Sequence, residues 1–189
     1  MLYHVSPVKG LKTLKPSVST HKKAYVYAIE NRITGLLFGA KKDDFDFIIN
    51  TDELGIPDVY ECYPGAFQSV YQGKSCSIYQ VEEEGFLRGM TSWSVELVCE
   101  REVAVAGEIE VEDLYERLLE EEKKGSLRMH RYEYTDEYRE RIASHVVDRL
   151  IRFQVDLNRC LEGGDKRFSL YYREIIQGLQ SITDGHLLQ

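Results

Sequence analysis

Apolar and polar positions divide the chain into two regimes. Over roughly the first 110 residues, short apolar or alternating runs are separated by turn residues, which is the pattern of strands. Leu2–His4 is a brief apolar segment closed by Ser6-Pro7, and Lys9–Pro16 is a polar, lysine-rich connection. Ala24–Ile29 is rich in strand formers. Asn31 is placed to cap a short helix through Ile33, Leu36 and Leu37 that ends near Gly39. Phe45, Phe47 and Ile49 alternate with other residues as a half-buried strand does. Val59–Tyr63, Ser75–Val81, Val95–Cys99 and Glu102–Glu110 complete the predicted strands.

Beyond that point the apolar spacing changes to three and four. Glu112–Lys124 carries Leu114, Tyr115, Leu118 and Leu119 on one helical face, with its acids early, its lysines late and Gly125 as the stop. Thr135 is placed to cap a long helix whose stripe runs through Tyr138, Ile142, Val146, Leu150, Phe153, Leu157 and Leu161 without interruption, as far as Gly163-Gly164. Asp165 then starts a last helix through Phe168, Tyr172, Ile175, Ile176 and Leu179. Strands followed by helices predict an α+β protein. The pattern divides it into a domain over 1–125 and a helical extension over 126–189 packed on it.

A chain of 189 residues suits one domain, or one domain with an appendage. No apolar run approaches the ~18 residues of a membrane span, and the first residues lack the basic start and long apolar stretch of a signal peptide. The expected location is therefore cytoplasmic. A formal charge of −8 disfavours non-specific binding to nucleic acid or to an anionic membrane. That charge is uneven. Residues 1–42 hold eight Lys or Arg against one Glu, whereas residues 81–125 hold five basic against fourteen acidic residues. The first fifth of an acidic protein is thus its one electropositive stretch. Cys62, Cys76, Cys99 and Cys160 form no C-x-x-C pair and read as reduced thiols. The histidines lack metal-site spacing, so no metal is expected, and no phosphate loop, dinucleotide fingerprint or nucleophile elbow occurs.

One ordered series of segments carries chemistry. A first strand ends in Tyr3-His4-Val5-Ser6, a second reads Ala24-Tyr25-Val26-Tyr27-Ala28, and a later one opens at Glu96 after Ser92-Trp93-Ser-Val. This series resembles the ADP-ribosyltransferase fold of the His-Tyr-Glu type, shared by poly-ADP-ribose polymerases and rifampin ADP-ribosyltransferase. The resemblance covers roughly residues 1–120. It implies a compact split-sheet core, with NAD as substrate and an acceptor or protein partner it does not name. By the resemblance, His4 bonds a ribose hydroxyl of NAD and Tyr27 stacks on the nicotinamide ring. Glu96 stabilises the charge that develops as nicotinamide leaves; Glu100 and Glu102 are its rivals. Val5 and Ser6 flank the nicotinamide, and Tyr25 faces the same side of its strand as Tyr27. Lys22 and Lys23, with Lys9, Lys12, Lys15 and His21, would face the pyrophosphate. Val5 stands where the family usually has Gly, so its branched side chain must point away for the backbone to be reached.

Two functions follow from the resemblance. The first is transfer of ADP-ribose from NAD to an acceptor, or NAD glycohydrolysis. The alternative is a catalytically silent module that binds NAD or a nucleotide and presents its helical part to a protein partner.

Overall fold

A computed structural model describes residues 1–18, 23–91 and 93–186, without the side chains of 166 and 183–186. The fold is α+β. In chain order its elements begin with β1 (Leu2–Ser6), β2 (Thr13–Leu14), β3 (Ser17–Val18), β4 (Ala24–Ile29) and α1 (Arg32–Leu36). Next come β5 (Phe47–Thr51), β6 (Pro57–Glu61), α2 (Ala66–Tyr71), β7 (Cys76–Val81), β8 (Leu87–Arg88), β9 (Glu96–Cys99), β10 (Val103–Ala104) and β11 (Gly107–Val111). The remainder is α3 (Leu114–Lys123), β12 (Arg128–His130), α4 (Asp136–Arg152), α5 (Leu157–Glu162), α6 (Lys166–Leu170) and α7 (Tyr172–His186).

The chain forms two compact units that interleave along the sequence. One comprises Met1–Lys42, Thr51–Asp58 and Phe67–Arg128, the other Asp43–Asn50, Val59–Ala66 and Met129–Gln189. A single cut near residue 125 does not describe this division, because two short segments from the first half belong with the helices.

In the first unit an antiparallel sheet runs in the order β11-β7-β1-β4-β9-β8, with β3 also on β4. Side chains alternate between its faces. Leu2, Val26, Ala28, Tyr79, Val81, Leu97 and Cys99 point to one face and form a core with Leu14 and Val103. The opposite face carries Val5 and Ile29, and α1 lies against it. A Cβ on Gly35 of α1 would sit 3.1 Å from Val5 Cγ2 and 3.4 Å from Ile29 Cγ2, so the small residue sets how closely helix and sheet approach. Asn31 caps α1 as its sequence position predicts, its Oδ1 accepting from the Ile33 and Thr34 amides. β2 and β10 pair with each other inside stretches that the pattern leaves as a connection and as one longer strand.

The second unit is mainly helical. Its core gathers Ile48, Cys62, Tyr138, Ile142, Val146, Leu150, Phe168, Tyr171 and Ile175. The long helix is shorter than its stripe predicts. It stops at Phe153, where Gln154 takes a left-handed φ of 53° and the Val155 amide bonds back to the Leu150 carbonyl. That 6→1 bond is a Schellman stop. Asp156 then caps α5 through the Asn158 and Arg159 amides. A second stop at Tyr171 divides the last predicted helix into α6 and α7. Hydrophobic spacing continued through both breaks because apolar residues on either side serve one core; Phe153, at the first break, is 48% exposed.

All four cysteines are free thiols. Burial pushes Cys62 up to about 12 and Cys76 up to about 11, as befits small apolar core residues.

Candidate functional site

The two edges of β1 are paired very differently. Against β7 every residue from Leu2 to Ser6 has a registered partner. Against β4 one pair is registered, Tyr3 with Ile29. Past that pair the sheet is split, and a side chain takes over the connection. His4 Nδ1 lies 2.7 Å from the Tyr27 carbonyl oxygen.

This bond decides the state of the imidazole. A carbonyl oxygen can only accept, so Nδ1 carries the proton and Nε2 keeps a lone pair. Burial holds the ring's pKa below its ordinary value and opposes a second proton, with the carbonyl bond pulling the other way. His4 is therefore a neutral imidazole whose Nε2 can accept a bond from a hydroxyl.

On β4 and β9 the registered pairs are Tyr27 with Val98 and Ile29 with Glu96. Tyr27 and Glu96 thus project from the same face, one diagonal step apart. Their proximity shows electrostatically. Burial chiefly, then the Glu96 charge and Tyr25, raise the Tyr27 phenol above its ordinary value. Tyr25 is buried beside Tyr27, their ring centroids 5.9 Å apart and edge to face. The structure therefore brings Tyr27 and Glu96 together on one face. The His4 ring instead fills the split, with its other neighbour, Tyr79, at 6.3 Å toward the opposite face.

No family model, curated protein or solved structure matches this chain.

The remaining predicted residues fall into clear places. Val5 points under α1 toward Gly35, away from the split, so its branched side chain leaves that edge clear. Ser6 is buried, and its hydroxyl accepts from the Val8 amide at 3.2 Å. Lys23 is exposed, bound to Glu100 at 2.5 Å and 5.3 Å from the Tyr25 ring centroid. Lys9 pairs with Glu110 at 2.9 Å and Lys15 with Glu102 at 3.4 Å. Much of the electropositive stretch is thus matched by acids of the later strands and turns, and Glu100 and Glu102 spend their charge there. Lys22, His21 and Ser92 lie outside the described residues. Trp93 packs on Phe38 with ring centroids 5.3 Å apart. Among the described residues no group of three or more His, Cys, Asp and Glu could hold a metal ion, and no helix is long and apolar enough to cross a membrane.

Beside the split, a cleft of about 510 Å³ opens at the end of β1 and β4. It is lined by Tyr3 and Val95, next in sequence to His4 and Glu96, by Ile29, the registered partner of Glu96, and by Asn31–Thr34 and the 51–55 turn. Sequence reasoning identified Asn31 as a helix cap only. No periodicity marks a cleft assembled from a strand end, a cap and a distant turn.

Proposed function

We propose that the protein binds NAD at the split between β1 and β4 and transfers its ADP-ribose to an acceptor, water included. One observation carries this reading. The His4–Tyr27 bond leaves an acceptor nitrogen at the split, next to the strand pair that holds Tyr27 and Glu96 on one face. NAD offers what such a site can take: ribose hydroxyls to donate to a neutral imidazole, and a flat nicotinamide to lie on a tyrosine.

The chemistry asks little beyond position and charge. When the bond between nicotinamide and the ribose carbon breaks, nicotinamide leaves neutral and positive charge develops on the sugar. A carboxylate already in place stabilises that charge without reorganising, which is the role of Glu96. Attack by the acceptor on the same carbon, with loss of its proton, completes the transfer. His4 orients the ribose and Tyr27 holds the ring.

Because Lys9, Lys15 and Lys23 are engaged by acids and not held for a pyrophosphate, a second reading is a silent module, in which the core does not turn NAD over and the helices serve a protein partner. Calorimetric titration with NAD, run beside an assay for released nicotinamide, separates the two. Binding with release supports the transferase. Binding without release, with any acceptor tried, supports the silent module, and no binding removes both.

A further inference from the structure

The cleft beside the split has a character of its own. Its walls are apolar where they meet the sheet, through Tyr3, Ile29 and Val95, and again at Leu54, which is 84% exposed. Its volume of about 510 Å³ lies within the roughly 300–1,000 Å³ of small-molecule sites. The far wall is held in place by local bonds. Asn31 Nδ2 donates to the Gly55 carbonyl at 2.8 Å, and Asp52 Oδ1 accepts from the Leu54 and Ile56 amides at 2.9 and 2.8 Å. The turn that carries Leu54 is therefore tied to the start of α1.

The polar groups of the cleft are unevenly committed. Glu30 is bound to Arg88 at 2.6 Å, and that bond holds its carboxyl below the usual range. Arg32 is exposed and makes no ion pair among the described residues. Thr34 is 1% exposed, and its hydroxyl meets no hydrogen-bond partner among the described residues. An unpartnered buried hydroxyl is unfavourable, so an anion in the cleft toward which it turns gains accordingly. The cleft therefore combines a free guanidinium, an unsatisfied buried hydroxyl and apolar walls, while its acid is already neutralised.

We propose that this cleft is a second ligand site, distinct from the split, for a small anion carried on an apolar or aromatic body. Arg32 binds the anionic group, Thr34 hydrogen-bonds to it, and Tyr3, Ile29, Leu54 and Val95 cover the body. A carboxylate and a phosphate monoester share this chemistry, since the guanidinium takes either one bidentately.

The test uses the full chain and three probes of one shape: benzoate, phenyl phosphate and benzamidinium, followed by amide chemical shifts. At least one of the two anions shifts Ile33, Thr34 and Gly55 in a saturable way, and which of them binds tighter identifies the anionic group. Benzamidinium, with the same ring and opposite charge, leaves those signals in place. Arg32→Gln weakens the better anion at least about tenfold, the loss of a charge-assisted bond. Thr34→Val weakens it by a smaller factor. NAD titration of Arg32→Gln gives the wild-type affinity. The proposal is overturned if neither anion shifts these signals, if benzamidinium binds as well as they do, or if Arg32→Gln leaves the anion's affinity unchanged. Loss of NAD affinity in Arg32→Gln also overturns it, because the cleft is then part of the NAD site.

Discussion

The edge of β1 toward β7 is closed by a continuous ladder, whereas the edge toward β4 is held at one registered pair and by one imidazole. On the closed side, the strand's own N–H and C=O groups find partners and side chains fill the core. The one hydroxyl proton of Tyr79 is shared between the Val8 carbonyl at 2.6 Å and Glu108 Oε1 at 3.1 Å, and Glu108 accepts from Ser77 and the Gly10 amide. Those bonds hold the Glu108 carboxyl below its usual range. Polar groups there are consumed by the fold. On the open side, an interrupted ladder leaves backbone and ring atoms that can meet something other than the chain. A binding site in this sheet belongs where pairing stops, because that is where polar groups are left to pair with a ligand.

The largest effect that tests this contrast is expected at Glu96. Glu96→Gln keeps size and hydrogen bonding but removes the charge, so nicotinamide release falls ~100-fold or more while NAD affinity changes little. Tyr27→Ala does the reverse and weakens binding first, by on the order of 1 kcal/mol of lost stacking. Normal turnover in Glu96→Gln makes Glu96 an ordinary surface acid.

A smaller effect is expected at the imidazole bridge. His4→Ala removes the bond to the Tyr27 carbonyl and lowers stability by about 0.5–1.5 kcal/mol, read as a lower urea midpoint. An unchanged midpoint means that the split is held by something other than this bond.

The smallest effect is in the pH dependence, which sets the split against the helical unit. Burial depresses both His4 and His145 below the ordinary value of 6.5. In His145 burial comes first and the Arg149 charge second, and together they bring it to about 4; Arg149 Nε donates to its Nε2 at 2.9 Å. The unfolded chain takes up these protons first, so the stability they contribute is complete above about pH 6.5 and declines as pH falls below it. Urea midpoints at pH 7.5 and pH 5 should show that decline, and His145→Gln should reduce it in proportion to the larger shift. A decline of equal size in His145→Gln assigns the effect to other groups.

How much of this was legible beforehand differs by element. The α+β order, the Asn31, Thr135 and Asp165 caps and the strand formers of Ala24–Ile29 are local features, written in neighbouring side chains and therefore readable. The stop at Gln154 was not, because nothing in its type announces a left-handed backbone. It rests on a Schellman bond and a fresh cap at Asp156 that compete with a still-favourable apolar stripe. The lysine-rich start read as a free positive stretch because its acids lie about 80 to 100 residues away in sequence.

By itself, the sequence determined most of the longer strands, where α1, α4 and α6 begin, and that His4, Tyr27 and Glu96 stand on three separate strands. Tertiary structure alone decided that β1 keeps one edge closed and the other split, that the His4 ring bonds a backbone carbonyl, and that Arg32 and Thr34 share a cleft. The reason is that pairing register and leftover hydrogen-bonding capacity are properties of strand pairs and assembled surfaces, and no single segment carries them.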